Sequence, residues 1–99
     1  MLYAFICEDV ENSLPIRKTC RTDHLANVQK LKDEGRLLLA GPHPLIDSAD
    51  AGEAGFSGSL IVAEFPDLAS AQDWINNDPY VAKGVFAKVT VKPFKQVMP

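Results

Sequence analysis

Two residues in this chain could form an acid–base pair. His24 lies in a stretch from about Pro15 to Gly35 that reads as a helix. At 100° per residue, Ile16, Cys20, Val28 and Leu31 fall on one apolar stripe of that helix, with Leu25 at its edge. His24 falls near the middle of the stripe, and Arg17 and Arg21 run along its flank. An imidazole that faces a core needs hydrogen-bond partners, because an unpaired buried polar group costs about 1–3 kcal/mol. A backbone carbonyl would make His24 an ordinary core histidine, whereas a carboxylate from another element would make it a candidate general acid or base. Asp78, directly before Pro79, is such a carboxylate. Asp before Pro is also a routine helix cap, and capping and orienting a histidine are compatible roles.

The remaining chemistry-bearing side chains point less sharply. Cys7, Cys20, His24 and His43 show no metal-ligand spacing, so no metal is expected. Cys20 lies on the apolar stripe and reads as core rather than nucleophile. His43, between Pro42 and Pro44, reads as a loop histidine. Trp74 and Tyr80 either line a pocket or pack as core aromatics. The run Gly55-Phe56-Ser57-Gly58-Ser59 lacks the Gly-Lys-Ser/Thr ending of a phosphate loop. Lys92 to Lys95 make only a small basic end.

These residues must be held by a short series of elements. Leu2 to Cys7 is a brief apolar and aromatic run, and reads as a strand. The first helix follows, with Pro15 in its first turn, Gly35 just past its end, and Lys30 and Lys32 near the negative end of its dipole. Leu37 to Ala40 and Ser59 to Phe65 read as strands, separated by a Gly-, Ser-, Asp- and Pro-rich segment over 42–57. Such a segment suits a ligand lid or a dimer-packing arm. Asp67 caps a helix through Asn76, Asp78-Pro79 starts a further helical turn, and Val85 to Val91 closes the chain as a strand ended by Pro93.

The order β-α-β-β-α-β predicts an α+β, ferredoxin-like domain: a four-stranded antiparallel sheet with both helices on one face. Leu2 to Cys7, Leu37 to Ala40 and Leu60 to Ala63 are nevertheless apolar on both faces. Antiparallel strands with one solvated face alternate instead. Two helices cover one face, and 99 residues leave no further layer for the other. The expectation is a homodimer, sheet against sheet.

Composition sets the outer bounds. The length suits one domain over residues 1–99, and 46% hydrophobic with 23% charged residues is ordinary globular composition. A net charge of −3 offers no footprint for a polyanion, which argues against nucleic acid. Two cysteines make no disulfide framework and read as free thiols in a reducing compartment. The opening Met-Leu-Tyr-Ala-Phe-Ile-Cys has no basic n-region and is too short to span a membrane, so a cytoplasmic protein is expected.

Across nearly its whole length the chain resembles the YciI-like (YCII-related) family. The resemblance is carried by Met1-Leu2-Tyr3 with Asp9, by Arg21-Thr22-Asp23-His24-Leu25, and by Asp33-Glu34-Gly35-Arg36-Leu37-Leu38. It continues through Ala40-Gly41-Pro42, Ala54 to Ser59, Asp78-Pro79-Tyr80 and Val91 to Lys95. It implies a dimeric α+β barrel and an active site centred on a His–Asp dyad, falling here on His24 and Asp78. It also implies a cofactor-independent lyase or isomerase, or a dehydrochlorinase-like enzyme, moving a proton on a small carboxylate-bearing molecule. Arg21 would be an anion clamp, and Gly41, Ser59 and Tyr80 complete the candidate substrate-binding set. The competing expectation is a non-catalytic module that binds a metabolite or serves dimerisation.

Overall fold

The computed structural model describes residues 1–99. Its elements are β1 (Leu2–Asp9), α1 (Leu14–Asp33), β2 (Leu37–Pro44), a 3-10 turn (Gly52–Ala54), β3 (Phe56–Glu64), α2 (Leu68–Asn76), α3 (Pro79–Ala82) and β4 (Phe86–Phe94). The strands form one antiparallel sheet in the order β2-β3-β1-β4. β3 therefore lies between β1 and β2, and β1 between β3 and β4, so each helix crosses over an intervening strand. No helix is long and apolar enough to cross a membrane.

Helix signals in the sequence act as their chemistry requires. Asp67 accepts a hydrogen bond from the Ser70 amide at the start of α2. Asp78 does the same for Tyr80 at the start of α3, where Pro79 occupies the first turn. α1 begins one residue before Pro15 and ends at Asp33, with Gly35 at φ +71° just beyond it. At its N-terminus Ser13 makes no side-chain cap and donates its hydroxyl to Asp9 instead.

The strands are longer than their apolar runs. β1 continues through Glu8, paired with Gly58 and Lys88, to Asp9. β2 runs to Pro44 and β3 starts at Phe56, so the irregular segment is 45–55 rather than 42–57. The expected strand stops at Ala40, before Gly41-Pro42, yet Pro42 and Pro44 both lie inside β2. They stand in an edge strand, where a missing N–H is tolerated on the unpaired side. Pro93 sits within β4, the opposite edge, for the same reason.

Register sorts the side chains. Tyr3, Phe5 and Cys7 of β1 share the helix-covered face with Ser59, Ile61 and Ala63 of β3. With Cys20, Val28 and Leu31 from α1 and Ala71 and Ile75 from α2 they build the core. Trp74 packs edge-on to Phe5 and beside Phe65, so it belongs to that core rather than to a pocket with Tyr80. The opposite face carries Ala4 and Ile6 from β1, Leu60 and Val62 from β3, and Leu39 from β2. Ile6 and Leu39 are exposed there, and no element of the chain lies over them.

Candidate active site

α1 brings His24 beneath the helix layer, where the residue is only 8% exposed. Its Nδ1 lies 2.8 Å from Asp78 Oδ2. The same oxygen accepts the Tyr80 backbone N–H at 2.9 Å, and Oδ1 accepts from Asn27 Nδ2 at 2.8 Å. Asp78 is wholly buried. Ringed by donors, its carboxylate acts as an acceptor throughout, so His24 carries its proton on Nδ1 and presents a bare Nε2. Nε2 has no partner within the chain, yet no buried polar side-chain atom is left unpaired. Nε2 therefore opens onto the adjoining cleft, which His24 helps to line.

One face of the imidazole is closed by Tyr80, stacked at 3.8 Å between centroids and 7° from parallel. Tyr80 is fixed in turn by its place in α3 and by Phe86, edge-on at 5.5 Å. Burial raises the Tyr80 phenol above its ordinary value, partly countered by the Arg17 guanidinium. The hydroxyl thus stays protonated at neutral pH.

Arg17 is the residue that the helical wheel misplaced. Expected on the flank, it is 6% exposed. Its Nε and Nη2 donate to the two oxygens of Asp9 at 2.7 and 3.0 Å, a bidentate pair. Nη2 also donates to Gly58 O and Ser59 Oγ. The guanidinium lies over the rings of Phe56 and Tyr80, at 4.9 and 5.0 Å. Two further features hold this cluster in place. Asp9 lies inside β1, which delivers a carboxylate to the helix-covered side of the sheet. Gly58 has its backbone so close to β1 that an added Cβ would stand 2.0 Å from Cys7 O.

Cys7, two residues before Asp9 on β1, is 1% exposed. Burial, reinforced by the carboxylates of Asp78 and Asp9, pushes its thiol up to about 12. It is a protonated core residue with no nucleophilic character.

The cleft beside Nε2 has a volume of about 210 Å³ and lies between α1 and the β2 edge of the sheet. For scale, an apolar cavity of about 150 Å³ accepts benzene. Its walls bring together His24, Arg21, Gly41, Ser59 and Tyr80, with Asp78 behind His24. Arg17, Lys18 and Arg21 also line it, and no carboxylate does. Apolar surface from Leu14, Val28, Phe56 and Ile61 completes the walls. His43 pairs with Gly58 in β2, outside this lining. No three His, Cys, Asp or Glu side chains gather anywhere in a way that could hold a metal ion.

Residues 1–95 match the YCII-related domain. The chain belongs to that family. It is 55% identical over 97 residues to protein YciI of Escherichia coli O6:H1, a span covering 98% of this chain and 99% of the relative. An uncharacterized protein of Haemophilus influenzae is 48% identical over the same coverage. Among solved structures, 5-chloro-2-hydroxyhydroquinone dehydrochlorinase (TftG) of Burkholderia phenoliruptrix AC1100, in complex with 2,5-dihydroxybenzoquinone, is similar with a TM-score of 0.85 and 25% identity. That likeness covers 96% of this chain and 94% of the dehydrochlorinase. A mutant of MhuD with two manganese protoporphyrin IX bound per active site shares the fold at a TM-score of 0.51 and 13% identity, covering 99% and 95% of the two chains.

Proposed function

We propose that this YCII-related protein is a cofactor-independent proton-transfer enzyme, of lyase or isomerase type, acting on a small anionic molecule of about one ring. The observation that carries the reading is the Nδ1 contact of His24 with a buried, donor-ringed Asp78, which leaves Nε2 facing a cationic cleft. In this reading Nε2 takes a proton from a C–H or O–H conjugated to a carbonyl. The electron pair moves into the conjugated system, and Asp78 balances the charge that forms on the ring of His24. The imidazolium then returns the proton at another atom, giving isomerisation, or a leaving group departs with its electron pair, giving elimination.

Arg21 and Lys18 at the cleft mouth draw in the anion, Ser59 and Tyr80 contact it, and Gly41 lets it approach the β2 backbone. The likeness to a dehydrochlorinase captured with a dihydroxybenzoquinone supports both the ring-sized substrate and the elimination chemistry. A second copy of the chain covers the apolar outer face of the sheet, making a homodimer. The cleft lies on the opposite, helix-covered face of the same sheet.

The test is chloride release from 5-chloro-2-hydroxyhydroquinone by the wild-type protein and by His24→Ala. General-base catalysis contributes about 10²–10⁴-fold, so the variant should lose at least about 100-fold in rate. Equal rates in the two proteins would refute the assignment. Tight binding of the compound with no turnover in either would instead favour a non-catalytic binding module.

A further inference from the structure

We infer that Arg17, with the hydroxyls of Ser59 and Tyr80, forms an oxyanion site, and that the cleft accordingly takes an enolisable cyclic oxo compound. The inference rests on the proton-transfer reading above and deepens it. Three donors remain unspent beside His24. Arg17 uses Nε and Nη2 for Asp9, Gly58 and Ser59, and beyond these meets only the Tyr80 hydroxyl, so that Nη1, with two hydrogens, keeps at least one unspent. Because no buried polar side-chain atom is left unpaired, Nη1 reaches the cleft that Arg17 lines. Ser59 Oγ accepts from Arg17, which leaves its own hydrogen free to donate. The Tyr80 hydroxyl has the guanidiniums of Arg17 and Arg21 and the Cys20 thiol near it; a guanidinium donates and never accepts, which leaves the phenolic hydrogen for the cleft. The Tyr80 ring also stacks on His24. Donors and base are therefore contiguous.

The electrostatics favour charge that develops over charge already present. Asp9 neutralises Arg17 through two hydrogen bonds and is itself sealed at 1% exposure, so Arg17 offers aimed N–H dipoles rather than a free cation. Fixed donors of that kind bind best the oxygen that gains charge in the transition state, with no reorganisation during the step. Lys18 and Arg21 supply the unneutralised positive charge of the cleft. The step then balances. His24 Nε2 takes H⁺, the released electron pair moves through the conjugated system, and the C=O bond becomes C–O⁻ against Arg17 Nη1, Ser59 and Tyr80. On collapse the C=O bond re-forms, as the proton is returned or the leaving group departs.

Binding of 2,5-dihydroxybenzoquinone, a vinylogous acid, is to be compared with that of 2,5-dimethoxybenzoquinone, which has no ionisable hydroxyl. Calorimetry on the full chain would measure affinity, and the Arg17 side-chain N–H resonances would be followed by NMR. The expected result is that Ser59→Ala and Tyr80→Phe each weaken the dihydroxy compound about tenfold and change the dimethoxy compound less than twofold. The Arg17 resonances should shift on saturation with the dihydroxy compound only. Arg17→Lys keeps a cation for Asp9 but lacks Nη1, and should resemble the hydroxyl variants or be weaker. Equal loss for both probes, no loss for either, absence of binding to wild type at about 1 mM probe, or loss confined to Lys18→Gln and Arg21→Gln would overturn the inference. If the donor variants behave as expected but turnover ignores His24→Ala, the oxyanion site stands and the proton-transfer reading falls.

Discussion

Replacing Asp78 by Ala would remove an acceptor shared by three groups, two buried and one half-buried. His24 Nδ1, the Tyr80 amide and Asn27 Nδ2 all lie within 2.9 Å of its two oxygens, and the side chain has no exposure. Each donor left unpaired away from water costs about 1–3 kcal/mol, so losing an acceptor shared by three should cost about 3–5 kcal/mol in all. A domain of this size shifts by about 4–8 °C per kcal/mol, so the melting temperature should fall by roughly 12–40 °C. Asp78→Asn is the informative control. Its amide oxygen can serve both His24 and the Tyr80 amide, while its NH2 meets Asn27, whose side-chain amide can turn to accept. That variant should lose less than half of what Ala loses. Calorimetric melts at pH 7, with urea midpoints as a check that the unfolding slope is unchanged, would measure both. If Ala costs under about 1 kcal/mol, the carboxylate is not the hub of the site. If Asn costs as much as Ala, charge rather than hydrogen-bond geometry holds the cluster, and the fixed tautomer loses its basis.

Gly58→Ala should destabilise by about 2 kcal/mol or more, because its Cβ would meet the Cys7 backbone carbonyl rather than a movable side chain; urea midpoints would show it. Cys7 titrates near its ordinary 9.0 when unfolded and near 12 when folded. Its stabilising contribution is therefore full below pH 9 and is lost as pH rises toward 12. Urea midpoints should fall more steeply between pH 9 and 11 in wild type than in Cys7→Ala, and a thiol reagent at pH 8.5 should label Cys7 only after unfolding; immediate labelling or parallel pH slopes would contradict the burial. Light scattering at micromolar concentration should give twice the mass of one chain, and Ile6→Lys should shift wild-type dimer to monomer or aggregate; a stable wild-type monomer would refute sheet-to-sheet pairing.

Much of this site was legible in the residues, and what was not has a physical cause. His24 stood out because a polar ring at the centre of an apolar helical stripe must be buried. Asp78 stood out as a cap. Their contact spans 54 residues and was invisible to spacing; the family resemblance suggested it, through the dyad that falls on these positions. Asn27 was missed, although a polar side chain three positions after His24 shares its helical face. Arg17 was missed because a wheel reports direction and says nothing of a carboxylate arriving from the sheet. The clue was Asp9 at the end of an apolar run, with Arg17 one turn into the next helix. The strand ends were underestimated for a different reason: proline stops a central strand, and only the sheet order reveals that β2 and β4 are edges.

The central claim is that Asp78 fixes His24 with its proton on Nδ1 and a bare nitrogen toward the cleft. Long-range ¹H–¹⁵N NMR of the imidazole at neutral pH reads this directly. The wild-type ring should show Nδ1 as the protonated nitrogen and Nε2 as the bare one, and in Asp78→Ala the ring should drift toward a mixture of tautomers. A wild-type ring protonated on Nε2, or a mixture unaltered by the substitution, would contradict it.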